Sequence, residues 1–262
     1  MPDSDVYIHP TAIVEKGCQL GVNVSIGPYS IIGPQVVLED HVQVHSHATV
    51  YGKTRLGANS KVWPFATLGS DPQDLKFKGE NTELVCGKNN SFREYCNISK
   101  GTDHGGGKTN IGSDNLFMVN THVAHDCLIG NYNIFANGVS LAGHIEVDDK
   151  VILGGHSACH QFIKIGSYAM LAGGSMVSQD VPPFIIVHGN HAKPLGINII
   201  GLKRNNFSKK IIAEIKLIFK HLYQSNHTLL EAVEKIKKLS MNHYATELLV
   251  NFVGRSTRGI CR

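Results

Sequence analysis

Residues 20–38 read LGVNVSIGPYSIIGPQVVL. An aliphatic residue stands at every sixth position: Leu20, Ile26, Ile32 and Leu38. The fifth residue of each hexad is small or β-branched: Val24, Ser30 and Val36. Outward from this stretch the beat holds from Ile8 to Leu68, resumes at Cys86, Phe92 and Ile98, and runs again from Ile111 to Val177. A six-residue period matches neither the 3.6 of an α-helix nor the alternation of a sandwich strand. It matches a short strand and a corner, three of which close one coil of a parallel β-helix. The aliphatic residue then points inward, and stacked coils lie about 4.8 Å apart.

Two breaks interrupt the beat. Leu68 to Cys86 is eighteen residues, one full coil, so the segment around Ser70 to Glu83 leaves the coil as a loop without loss of phase. Ile98 to Ile111 is thirteen, a slip of one, which puts a second loop at Thr102–Gly107. Pro182-Pro183 ends the beat. The expected organisation is mainly β: a parallel β-helix over 1–188 with loops near 70–84 and 102–109, then a connecting segment and a small C-terminal α-helical domain over 189–262. In that last part Ser208 caps an apolar run to Leu222, Thr228 to Glu231 is a capping box opening a helix to about Leu239, and a third helix covers about Ala245 to Val253, before Gly254. Three amphipathic helices are expected to pack on each other and on neighbouring subunits.

The chain has 262 residues and no apolar stretch of eighteen, so no membrane insertion is expected. Met1 to Asp5 has no basic or apolar leader, and the six cysteines have no paired spacing, which suits a cytoplasmic protein with free thiols. Residues 201–262 carry twelve Lys or Arg against four Glu, while the rest carries thirteen against seventeen acidic residues. A basic tail on an acidic body suggests an acidic partner. Nucleic acid is not expected, because there is no stacking platform and only one Trp.

Histidines gather in the second half of the solenoid: His122, His125, His144, His156, His160, His188 and His191. Steps of eighteen from His125 reach Gly143, Gln161 and Gln179, which defines one column on one edge. A second column runs Asn137, Gly155, Gly173 and His191, and its two glycines leave a strip for a slender apolar ligand or simply suit coil corners. Three readings of the histidines stand at this point. They are polar corner residues, or a three-histidine zinc site as in hexapeptide-repeat carbonic anhydrases, or the base of an acyl transfer. Acyl transfer fits the column, since a neutral imidazole can deprotonate a hydroxyl while a glycine N–H meets the oxyanion. The chain has no G-x-S-x-G motif, which favours direct attack over a covalent intermediate.

Several ordered segments carry a more specific likeness: Gln73-Asp74-Leu75-Lys76, Gly101-Thr102 with Gly105-Gly106-Gly107, His122-Val123-Ala124-His125-Asp126-Cys127, Ala142-Gly143-His144, His160-Gln161-Phe162, Gly189-Asn190-His191-Ala192 and Gly201-Leu202-Lys203-Arg204. With them the whole chain resembles the UDP-N-acetylglucosamine 3-O-acyltransferase family of hexapeptide-repeat enzymes, which opens lipid A biosynthesis. The resemblance implies a left-handed coil, a homotrimer with clefts between subunits, UDP-N-acetylglucosamine as acceptor and acyl carrier protein as donor and acidic partner. It implies no cofactor and no metal, the carrier thioester being a substrate. His125 would be the general base, Asp126 its orienting partner and Gly143 the oxyanion donor. Neighbouring strand residues face opposite ways, so the first two can pair only at a corner. Gln73, Asp74, Lys76, His122, His144, His160, Gln161, Asn198 and Arg204 would bind substrate, and Gly155, Gly173 and His191 would bound the acyl groove. Ile200 and Asn205 depart from the family pattern in the nucleotide segment, and Ala172 and Met176 flank the acyl limit. A 3-amino sugar acceptor and a zinc-dependent carbonic anhydrase-like trimer are the alternatives. The sister N-acyltransferases carry a domain before their solenoid, for which hexads starting at Ile8 leave no room.

Overall fold

The computed structural model describes residues 5–239 and 243–262. Residues 1–4, within the segment read above for a leader, lie outside them. Each short strand at the start of the chain pairs in parallel with the strand eighteen residues on: Tyr7 with Ser25, Ile13 with Ile31, Gln19 with Val37. Among the described residues these strands build three sheets of eleven, nine and eight members, here faces A, B and C in the order the chain visits them. The result is a left-handed parallel β-helix with a C-terminal helical part. The hexad residues fill its interior: Ile26, Ile32, Val50, Leu56 and Val62 are fully buried, as are the small Ser30, Ala48 and Ala66. The first coil is the exception: among the described residues no coil covers its outer side, and Ile8 is exposed.

Corners hold the ladder together. Their turn residues take a left-handed backbone, as at His41 (φ 61°) and His47 (φ 59°). That bend aims the amide along the coil axis, so His41 N–H donates to Val22 O at 2.8 Å and His47 N–H to Pro28 O at 2.9 Å. The backbone bonds therefore continue around the bend. Left-handed residues other than glycine are costly, by roughly 1–2 kcal/mol. Ring stacking offsets this on the A-to-B edge, where Tyr29, His47, Phe65 and Tyr95 lie 5.0, 5.0 and 5.2 Å apart.

The two breaks differ from the sequence reading in size. Val62 pairs with Phe92 and Leu68 with Ile98, thirty residues on rather than eighteen, so the first loop inserts twelve residues at a single corner and no coil is completed. Phe92 pairs with Phe117, twenty-five on, so the second inserts seven. Both insertions, 71–82 and 101–107, leave from the B-to-C edge, one directly after the other along the axis.

Pro182-Pro183 does not end the ladder. The strand Ile185–His188 still pairs with face A, Met170 opposite Ile186, and then turns back antiparallel through Lys193–Ile197. This last step is sixteen residues, two short of a coil. Among the described residues four helices follow: α1 (Ile199–Arg204), α2 (Lys209–Tyr223), α3 (Leu229–Leu239) and α4 (His243–Arg255). The short α1 was not foreseen, and Gly254 lies within α4 rather than after it. The Ser208 cap and the Thr228–Glu231 box both form; Glu231 Oε2 accepts from Thr228 N–H at 2.8 Å. Ile212, Ile215, Ile218 and Leu222 of α2 pack with Ala232 and Ile236 of α3 and Leu249 and Phe252 of α4. Arg255 ties α4 to face C through Glu146 and Asp148. All six cysteines are free, and burial pushes the thiols of Cys96 and Cys127 up to about 12, which makes them inert core residues. Among the described residues no helix is long and apolar enough to cross a membrane.

Candidate active site

The B-to-C edge gathers the chemistry. His125 and Asp126 form the corner after the strand His122–Val123, and Asp126 takes φ 60°. The left-handed bend is what lets two successive residues share one side. His125 Nδ1 lies 2.7 Å from Asp126 Oδ2. The carboxylate is buried and accepts two more bonds, from Thr102 N–H at 2.9 Å and Thr102 Oγ–H at 2.6 Å. Asp126 N–H donates to Thr109 Oγ at 2.8 Å. The second insertion is thus clamped onto the dyad. Gly105 belongs to this clamp, since a Cβ there would overlap the Asp126 carboxyl.

One coil further, Gly143 stacks on His125 as the column requires, and His144 N–H donates to His125 O at 3.0 Å. A Cβ on Gly143 would sit 2.7 Å from His125 Cε1, so the position needs glycine for this close approach. No described residue accepts the Gly143 N–H. His144 stands at right angles to His125 with ring centres 5.1 Å apart, and stacks on Phe162 at 4.5 Å. Burial lowers the pKa of His144 and of His122, so both favour the neutral form.

The first insertion closes the site from above. Gln73, Asp74, Leu75 and Lys76 line a cleft of about 550 Å³ with His104, His125, His144, Gln161 and Phe162. The Asp74 carboxyl is held low by the Lys76 N–H, with the neighbouring His125 and His104 adding to the effect. Seven of the residues expected at the site therefore meet: Gln73, Asp74, Lys76, His125, Asp126, His144 and Gln161, with Gly143 against the His125 ring.

The others lie apart within one chain. His122 sits on face B, its Nδ1 2.9 Å from Asn97 Oδ1. His160 is exposed beside the cleft and turned to Gln161 O. Gly155 and Gly173 stack on the A-to-B edge, where a Cβ on Gly173 would lie 3.3 Å from Gly155 O. The shortened last coil ends that column, so His191 does not stack on Gly173 but faces Ser178 at 3.4 Å. Asn198 caps α1 and also donates to Tyr168 O, which commits its amide. Arg204 and Ile200 are exposed on α1, and Asn205 closes that helix through Gly201 O.

Thr102, Thr109, His104, Gly105 and Phe162 escaped the sequence reading as site residues. A signal existed. Twenty-five residues back from His125, eighteen plus the seven inserted, is Lys100, the last residue before the second insertion, and thirty further back is Ser70, the last before the first.

His125, Asp126 and His144 place ligand atoms within 4.8 Å of one another. The donor set fits a metal poorly. The Asp126 carboxylate already accepts from the Thr102 N–H and Oγ–H and faces His125 Nδ1 at 2.7 Å, and His144 Nε2 stays 3.8 Å from it. Within one chain Asn97 holds His122 outside the cleft.

Comparisons with known proteins agree with this architecture. Residues 180–261 match the family model described as UDP N-acetylglucosamine O-acyltransferase, domain 2. The chain superposes on LpxA of Acinetobacter baumannii with 44% identity, 97% of this chain and 99% of that one covered, and a TM-score of 0.93. The UDP-N-acetylglucosamine acyltransferase of Bacteroides fragilis gives 39% identity, coverage of 97% and 100%, and 0.94. The UDP-N-acetylglucosamine O-acyltransferase of Moraxella catarrhalis gives 38%, 97% and 99%, and 0.94. Likeness at this level over nearly every residue means that the chain is an acyltransferase and belongs to the UDP-N-acetylglucosamine O-acyltransferase family.

Proposed function

We propose that the chain transfers a (3R)-3-hydroxyacyl group from acyl carrier protein to the 3-hydroxyl of UDP-N-acetylglucosamine, the first step of lipid A biosynthesis, in the cytoplasm. The observation that carries this is the His125–Asp126 dyad with a glycine N–H one coil above it. Asp126 takes the Nδ1–H of His125, which leaves Nε2 as the free acceptor. Nε2 removes the proton of the sugar hydroxyl as its oxygen attacks the thioester carbon. The Gly143 N–H meets the oxyanion. Collapse forms the ester, breaks the carbon–sulfur bond and returns the proton from His125 to the leaving thiolate. The cleft lining contains no Ser or Cys, which supports direct attack. Asp74, Lys76 and Gln161 take the sugar nucleotide. The names of the B. fragilis and M. catarrhalis relatives support this acceptor.

The Gly155–Gly173 strip, His191, Asn198 and Arg204 lie off the cleft of their own chain. In a homotrimer a neighbouring subunit would complete the site with them. The exposed Lys203, Lys209 and Lys216 offer an acidic carrier protein a complementary surface. Reversing each to Glu is expected to raise the apparent KM for carrier protein roughly threefold or more at low salt, and less at high salt. Wild-type values at low salt would rule this surface out.

The reading is tested by a product assay with UDP-N-acetylglucosamine and a series of 3-hydroxyacyl carrier-protein donors, with chelator present. O-acylated sugar nucleotide is the expected product. Product from a 3-amino sugar or from acetyl-CoA alone would keep the fold and overturn the substrates.

A further inference from the structure

We infer that His104 is a positioning residue for the acceptor: it holds Asp74 in the orientation that receives the sugar. The inference rests on the reading that Asp74 contacts the acceptor. The two insertions meet at their roots through the coil ladder, where Lys100 N–H donates to Ser70 O. At the cleft they meet through His104 Nε2 and Asp74 Oδ2, 3.2 Å apart. The other carboxylate oxygen, Oδ1, accepts from Lys76 N–H at 2.9 Å. Asp74 is thus anchored at both oxygens, once by its own loop and once by His104. An anchored carboxylate cannot turn away from a hydroxyl, so less freedom is lost when the sugar binds.

His104 is itself fixed from the catalytic side. It stands on a one-turn 3₁₀ helix, Asp103–Gly105, capped by Thr102, whose hydroxyl and N–H both bind Asp126. Its ring packs edge-on to His125 at 6.5 Å and tilted to His144 at 6.3 Å. One continuous set of contacts therefore runs from the base through Asp126, Thr102 and His104 to Asp74. The sugar-binding carboxylate is set relative to the base through side chains, not through the coil backbone alone. His104 keeps 42% of its side chain exposed and fills no core space, so its truncation need not unfold the loop.

Steady-state kinetics with UDP-N-acetylglucosamine varied at saturating acyl carrier protein test this. His104→Ala should raise the KM for the sugar nucleotide about three- to tenfold with kcat within about twofold. His104→Gln, which keeps a donor N–H, should recover most of the loss. In an Asp74→Asn background His104→Ala should add little, because its partner is already altered. An unchanged KM in His104→Ala, or effects of the two substitutions that simply multiply, would overturn the assignment. A wild-type enzyme that does not acylate UDP-N-acetylglucosamine would instead sink the proposed function, before any variant is compared.

Discussion

His125→Ala is expected to lower kcat by about 10²–10⁴-fold, the range that general-base catalysis supplies. The ring does little for the fold. It lies at the cleft wall with 14% of its side chain exposed, against Gly143 and His144. Its removal should leave the thermal unfolding curve close to wild type, so a loss of rate would report chemistry. Asp126→Asn separates orientation from basicity. The native carboxylate receives three donors, and an amide can accept at one oxygen only. The amide nitrogen would face either Thr102 or His125, so this variant should lose rate and also loosen the 101–107 insertion. Rates within about fivefold of wild type in His125→Ala, measured as single turnovers, would remove His125 from the role of base.

Phe117→Ala should cost about 3–5 kcal/mol of stability. Phe117 is fully buried between Phe92 and Phe135, with ring centres 5.0 and 4.5 Å away. Its coil is hydrogen-bonded to the coils above and below, Phe92 opposite Phe117 and Phe117 opposite Phe135, so the backbone cannot close in on the cavity. The contrast is Ile8→Ala. Ile8 also opens a hexad, but it is 42% exposed in the first coil, and its truncation should cost about 1 kcal/mol or less. Urea titration of the two variants measures the difference. Equal losses would mean that coils do not share a core as tightly as the ring stack implies.

The solenoid was legible because each coil repeats one demand, an inward apolar residue every sixth position, whatever its neighbours are. The column of His125, Gly143 and Gln161 followed from that period alone. Features that break the period were read less well. Leu68 to Cys86 has the length of a coil, yet it is one corner carrying twelve extra residues; only the pairing of Leu68 with Ile98 distinguishes the two. Pro182-Pro183 ends the hexad beat, yet a further strand of face A starts after it, at Ile185, and is two residues out of step with the coils before it. His191 was assigned by steps of eighteen across a coil that is sixteen long. Thr102 gave no periodic signal, since its bond to Asp126 is made by a loop that has left the repeat.

The two insertions carry a consequence for how such a chain changes over generations. Within a coil every residue is counted, and a single addition would turn an inward side chain outward. At the corner nothing is counted. Twelve residues and seven leave the same edge, and Val62, Phe92 and Phe117 still stack in line across both. Deletions and duplications there reach the cleft without touching the scaffold. A frame that is strict about length has one edge where length is free to vary, and the substrate-facing loops are written there.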